Sequence, residues 1–290
     1  MVMDYFHRVW SMPNFGVSIF PTDKTIDPVT LGKAVEERGF DSLFVPEHTH
    51  IPTSRATPFP GGGRLPEHYW RAHDPFCALS AVAAVTERIR IGTGICLVVE
   101  RDPITLAKEI ASLDVISNGR FVFGIGAGWN AEEMENHGAS YKARWAITRE
   151  KILAMKAIWN NDEAEFHGDH VNFDPIWSWP KPVQAGGPPI WLGANSKWCY
   201  DRVAEYCDGW LPIGGPGSGG IARMREAVEQ AGRNPDDITL ALFAAPTDPE
   251  KLRGRINQGF HELVFGLPQA PADEVLKALD RLARLVEAAR

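Results

Sequence analysis

Residues 120 to 129, Arg120-Phe121-Val122-Phe123-Gly124-Ile125-Gly126-Ala127-Gly128-Trp129, form an apolar run that ends in alternating glycines. The run is too short for a buried helix and reads as a strand handing over to a loop. Its G-x-G-x-G pattern also suggests a dinucleotide fingerprint. That fingerprint, however, belongs to a first strand–helix turn, with an acidic residue about 20 positions further on. Here the run lies in mid-chain, fourth among eight of its kind. Upstream are 15 to 20 (FGVSIF), 41 to 46 (DSLFVP) and 89 to 97 (IRIGTGICL). Downstream are 188 to 194 (PPIWLGA), 208 to 213 (DGWLPI), 238 to 245 (ITLALFAA) and 262 to 267 (ELVFGL).

Helical patterns separate these runs. One runs from Asp27, ahead of Pro28, to Arg38, with Gly39 placed to end it. A second goes from Asp74 to about Glu87, and a third starts at Pro103 and stops near Asn118-Gly119. Ile152, Met155 and Trp159 share one face of a helix over 143 to 159, and Val275, Leu279, Leu282 and Val286 share one on the last helix, which starts at Pro271. Two stretches break the rhythm. The Pro/Gly-rich residues 49 to 73 follow the second strand, and residues 163 to 187, a small hairpin and then a Pro/Trp-rich loop, precede the fifth. Eight strand–helix repeats without a linker predict an α/β fold: a (β/α)8 TIM barrel with these two insertions, forming one domain over residues 1 to 290.

Composition fits a globular enzyme, with 44% hydrophobic and 23% charged residues. A net charge of −7 disfavours nucleic acid and anionic membranes as partners. No stretch approaches the roughly 20 apolar residues of a membrane span, and the start of the chain lacks the pattern of a signal peptide, so a cytoplasmic location is expected. Cys77, Cys96, Cys199 and Cys207 form no C-x-x-C pair and read as reduced, mostly buried thiols.

Barrel enzymes carry their chemistry where strands meet the following loops. After the second strand come Glu47, His48 and His50, the densest ionisable cluster. His48 is a candidate acid/base group or cofactor-positioning donor, because imidazole titrates near neutrality. His48-x-His50 also resembles the start of a metal site in barrel hydrolases, but later strand ends offer too few ligands, so no metal is assigned. Thr93, Gly94 and Ile95 lie in a glycine-containing bend, where a backbone can approach a flat ligand or bulge. Gly128 and Asn130 flank Trp129, a candidate pocket wall. Gly193, Ala194, Asn195 and Ser196 precede a helix through Val203 and Ala204, and read either as a phosphate-binding loop or as an ordinary cap.

As an ensemble PEH (46 to 48), GTGI (92 to 95), GIGAGWN (124 to 130), PPIWLGANS (188 to 196) and DGWLPIG (208 to 214) resemble the luciferase-like monooxygenase family over roughly residues 14 to 215. Within it the chain looks most like the oxidoreductases that use the deazaflavin coenzyme F420. The resemblance implies a homodimer binding F420, or alternatively FMN, across the strand ends, and a small-molecule substrate. It also implies a non-prolyl cis peptide near Gly94-Ile95, His48 beside the ring, and the 193 to 196 loop at the phosphate. Glu47, His48 and Trp129 are the catalytic candidates. One departure matters: deazaflavin-dependent sugar-phosphate dehydrogenases place a glutamate where this chain has Trp129, which argues against a polar sugar phosphate. Trp129, Trp70 and Tyr69 are candidate walls of a partly apolar substrate pocket under a 49 to 73 lid. An FMN-dependent monooxygenase and a noncatalytic flavin-binding protein are the competing readings, with a metal-dependent hydrolase behind them.

Overall fold

All eight apolar runs contain strands, whose side chains point alternately into the barrel and out toward helices. The computed structural model describes residues 12–290. The first half comprises β1 (Asn14–Ser18), α1 (Pro28–Glu37), β2 (Ser42–Val45), α2 (Pro75–Ala83), β3 (Arg90–Thr93), β4 (Cys96–Leu97), α3 (Pro103–Ile116), β5 (Phe121–Gly126), α4 (Ala131–Asn136) and α5 (Arg144–Asn160). The second half comprises β6 (Glu163–His167), β7 (Asn172–Trp177), β8 (Ile190–Leu192), α6 (Cys199–Tyr206), β9 (Gly209–Trp210), α7 (Gly220–Gln230), β10 (Thr239–Phe243), α8 (Pro249–Asn257), β11 (Glu262–Gly266) and α9 (Ala272–Ala289).

The barrel is closed and has eight parallel strands, in the order β1, β2, β3 with β4, β5, β8, β9, β10, β11. Closure comes from β11 pairing with β1, from Asn14 opposite Glu262 to Ser18 opposite Gly266. β3 and β4 are two halves of the third barrel strand, and both pair with β5. The inserted β6 and β7 form a separate antiparallel hairpin.

Four helices start the same way, with Asp at the N-cap and Pro directly after it: Asp27-Pro28, Asp74-Pro75, Asp102-Pro103 and Asp248-Pro249. Each Asp carboxylate accepts a backbone N–H in the first turn, and proline supplies a preset φ where no donor is needed. Gly39, Asn118 and Gly119 adopt positive φ after the helices they were expected to end. α2 stops at Ala83, short of the expected Glu87, because the Glu36 carboxylate accepts from the N–H groups of Glu87, Arg88 and Ile89 and draws the chain into β3.

Phe44, Val122, Trp191, Leu211 and Phe243 fill the barrel. At its floor, buried Glu262 is bound by Ser42 and Arg90, and Arg90 also lies over Trp191. A larger apolar cluster joins the outer faces of the strands to the helices, including Ile152, Met155 and Trp159 of α5 and the expected stripe of α9. Three of the four thiols, Cys96, Cys199 and Cys207, are buried, as expected for most of them, and Cys77 is exposed. Among the described residues no helix is long and apolar enough to cross a membrane.

Candidate active site at the barrel mouth

β2 ends at Val45, and the next residues carry His48 to the mouth. The His48 Nδ1 lies 2.8 and 3.0 Å from the two carboxyl oxygens of Glu133, which is 1% exposed. Glu133 sits in the first turn of α4, and its own N–H donates to the Asn130 side chain that caps this helix. With Nδ1 held by a carboxylate, Nε2 is the nitrogen left for chemistry, and His48 lines a cavity of about 330 Å3. Sequence reading did not find Glu133, because it lies inside a short helix and not at a strand end. The available signal was the spacing Asn130-x-x-Glu133, a helix-start pattern.

Several anticipated residues turn out to hold the scaffold. Glu47 is buried, with one oxygen accepting from Leu97 N–H at 2.7 Å and the other from Arg101 Nε at 2.7 Å. It clamps the split third strand while also bordering the cavity that His48 lines. Thr93 is fully buried and its hydroxyl donates to the Gly124 carbonyl, away from the mouth. Asn130 spends its side-chain oxygen on the α4 cap and borders neither of the two cavities described here.

The peptide bond between Gly94 and Ile95 is cis, where the resemblance placed one. Around it the glycines are sterically required. A Cβ at Gly94 would lie 2.3 Å from Phe243 Cζ, and at Gly126 and Gly193 it would lie 2.5 and 2.4 Å from the Ile95 side chain. Ile95 thus forms a ledge between two adjoining cavities and borders both.

Trp129 also borders both cavities. Its ring meets those of His48, Phe59 and Tyr69 at centroid distances of 5.8, 6.0 and 6.4 Å. Phe59 and Tyr69 come from the 49 to 73 segment, which lies over the mouth. Bonds from Lys24 to the Glu67 carboxylate, from Arg71 to the Asp23 carboxylate and from His73 N–H to the Pro21 carbonyl fasten that segment to the loop after β1. Trp70, by contrast, is 44% exposed and does not wall the pocket. Among the described residues no Lys or Arg lines this first cavity. Burial raises the Tyr69 phenol pKa and lowers that of His68, which also faces the cavity, so both favour their neutral forms.

The second cavity, about 570 Å3, has a different character. It is lined by Gly193, Ala194, Asn195 and Ser196, and also by Arg144 and Arg202. Arg144 Nε and Arg202 Nη1 are buried with no hydrogen-bond partner among the described residues. Burial, helped by the nearby Arg144 charge, lowers the Arg202 pKa, so an anion between the two would relieve both. Sequence reading missed these arginines because they lie on helices. It also placed the loop too close to α6, which begins at Cys199 with Trp198 as its unassisted cap. Asn195 instead bonds the backbone N–H and carbonyl of Ile213, tying its loop to the next strand end.

The orphaned guanidinium atoms and the glycine-framed ledge fit a flat ring carrying an anionic arm. A metal finds no comparable place: among the described residues no group of three or more His, Cys, Asp or Glu is arranged to hold one, and His50 bonds Thr49 and Asn136. Comparison with known proteins decides the lineage, since the model of the family described as luciferase-like monooxygenase matches residues 20–255. The chain belongs to this family. An uncharacterized protein of Mycobacterium tuberculosis is 38% identical to this luciferase-like chain over 279 residues, covering 93% of it and 97% of the relative. An F420-dependent glucose-6-phosphate dehydrogenase of Mycolicibacterium gilvum is 28% identical over 241 residues, covering 77% and 66% respectively. A monooxygenase from Streptomyces bottropensis superposes with a TM-score of 0.75 at 19% identity, covering 95% of this chain and 99% of its own. That likeness supports the luciferase-like barrel fold.

Proposed function

We propose that this luciferase-like protein transfers a hydride between coenzyme F420 and an uncharged, partly apolar alcohol or carbonyl compound. The observation that carries the reading is the His48–Glu133 pair facing a cavity that no described Lys or Arg lines, beside a second cavity bordered by Arg144 and Arg202, each with one buried nitrogen that has no hydrogen-bond partner among the described residues. The deazaflavin ring supplies, when bound, the carbon that gains or loses the hydride. Ile95 and the surrounding glycines would hold its face, and Arg144, Arg202 and the 194 to 196 loop its anionic arm. His48 Nε2 takes the hydroxyl proton during alcohol oxidation and returns it during reduction, while Glu133 fixes the imidazole and stabilises its charged form. The aromatic wall and the lid exclude water. A sugar phosphate is disfavoured because no Lys or Arg among the described residues lines the His48 cavity.

The test is turnover of F420 with secondary alcohols and with glucose 6-phosphate, followed by deazaflavin absorbance. We expect turnover with apolar alcohols and none with the sugar phosphate. His48→Ala is expected to lower kcat by about 10² to 10⁴ while cofactor affinity stays within severalfold. Unchanged kcat in that variant would contradict the acid/base assignment. Dioxygen uptake with reduced FMN, in place of F420 turnover, would move the protein to the family's monooxygenase chemistry.

A further inference from the structure

Glu100 lies at the end of the short 3-10 helix Val98–Glu100, with its side chain 1% exposed. Neither of its carboxyl oxygens has a hydrogen-bond partner among the described residues. Four charged groups face it: Glu133 from α4, Glu47 after β2, Arg101 next in the chain and Lys151 from α5. Both cations are engaged elsewhere. Arg101 binds Glu47, Asp74 and Glu109, while Lys151 Nζ donates to the carbonyls of Val99 and Arg101. On its remaining side, His137 Nε2 stands 3.8 Å from Glu100 Oε2.

From His137 a chain of polar contacts runs outward. Thr49 Oγ1 is 2.8 Å from His137 Nε2 and 2.9 Å from His50 Nδ1, and His50 Nε2 accepts from Asn136 Nδ2 at 2.8 Å. Thr49 and Asn136 are exposed, whereas His48 and Glu133 are not. His48 therefore sits under the lid with the Glu133 carboxylate behind it, and the charge of Glu133 acts on Glu100, whose unpartnered carboxyl group stands beside His137.

We propose that Glu100, His137 and Thr49 form the path by which a proton passes between the buried Glu133–His48 pair and solvent. The proposal rests on the reading of His48 as the acid/base group and adds the route its proton takes. When Nε2 accepts the substrate hydroxyl proton, the Nδ1 proton moves to Glu133 and on to Glu100. Glu100 releases its own proton to His137 Nε2, and His137 passes one outward through Nδ1 or the Thr49 hydroxyl. One proton enters and one leaves, both carboxyl groups end as they began, and no electrons travel this way; His48 is left as its Nε2–H tautomer, which the reverse transfer during reduction restores. A neutral carboxylic acid suits the role because it both donates and accepts. Burial, with Glu133 and Glu47 adding to it, pushes the Glu100 pKa up to about 9 and keeps it protonated at neutral pH. Burial and the neighbouring His50 lower that of His137, leaving a ring nitrogen free to accept. The 3.8 Å gap exceeds a hydrogen bond, so the path requires the Glu100 carboxyl to rotate toward His137.

The test uses the full chain without cofactor, so loss of F420 turnover and failure of this path are read separately. Exchange of the His48 Nδ1 proton with water is measured by NMR magnetisation transfer in the wild type, Glu100→Gln, His137→Ala and, as a control on the exposed side of α4, Glu135→Gln. We expect exchange to slow about tenfold in the first two variants, equivalent to about 1.4 kcal/mol on the barrier, and to be unchanged in the control. The Nδ1 proton shift, which reports the Glu133 bond, is expected to stay constant, a combination that mere structural support would not give. Wild-type exchange rates in both variants would overturn the proposal, as would slowing in His137→Ala alone. If Glu100→Gln does not fold, His137→Ala and Thr49→Val decide the matter in the same way.

Discussion

Glu133 and Glu100 show how far single residues could be read from the sequence. His48, Trp129 and the 193 to 196 loop stand at strand ends, where barrel chemistry is sought, and all of them border a cavity. Glu133 and the two arginines come from helices, which present side chains to a site only after the tertiary path is fixed. Thr93 has the right position and the wrong direction, since its hydroxyl is turned to the Gly124 carbonyl, while Glu47 borders the His48 cavity but also holds the Leu97 N–H. Glu100 has a consequence for stability. Its pKa in the fold, about 9, lies above the ordinary value of 4.5, so between these pH values the folded state holds a proton that the unfolded chain has lost. Stability therefore falls as pH rises through that window. Glu100→Gln removes this dependence, and chemical denaturation is expected to show the variant gaining on the wild type by roughly 2 to 4 kcal/mol between pH 4 and pH 8. A difference that stays flat over that range would mean that Glu100 ionises normally.

Elements were legible in proportion to their length and their caps. The Asp-Pro starts at Asp27 and Asp102 and the positive-φ stops at Gly39 and Gly119 are local chemistry, and they mark helix ends without knowledge of the fold. α4 was not legible, being six residues long with two of them buried, too short for a periodic face. Yet α4 delivers the partner of His48. Its cap thus bears on the site: Asn130→Ala is expected to lower stability by about 1 kcal/mol and to weaken the Glu133 hold on His48. Urea denaturation and the His48 Nδ1 proton shift report the two effects. An unchanged proton shift together with a lost cap would show that Glu133 is fixed by its own burial and not by the start of the helix.

At the scale of the whole molecule, the alternation of apolar runs with helical periods was sufficient to give the barrel, because strand count and the absence of a linker leave few other closed arrangements. The insertions were visible as interruptions, but not their paths. The folding of residues 49 to 73 over His48, which brings Phe59 and Tyr69 to Trp129, depends on contacts with the loop after β1 that no local pattern encodes. The proposal that this barrel takes a deazaflavin with an anionic arm rests on the two cavities that meet at Ile95 and Trp129. The most direct test is equilibrium titration of the purified protein with oxidised and reduced F420, and separately with FMN, followed by tryptophan fluorescence. The account predicts saturable quenching by F420, weakened at least about tenfold in Arg144→Ala and Arg202→Ala, with FMN binding more weakly. Tight FMN binding with no response to F420 would contradict it.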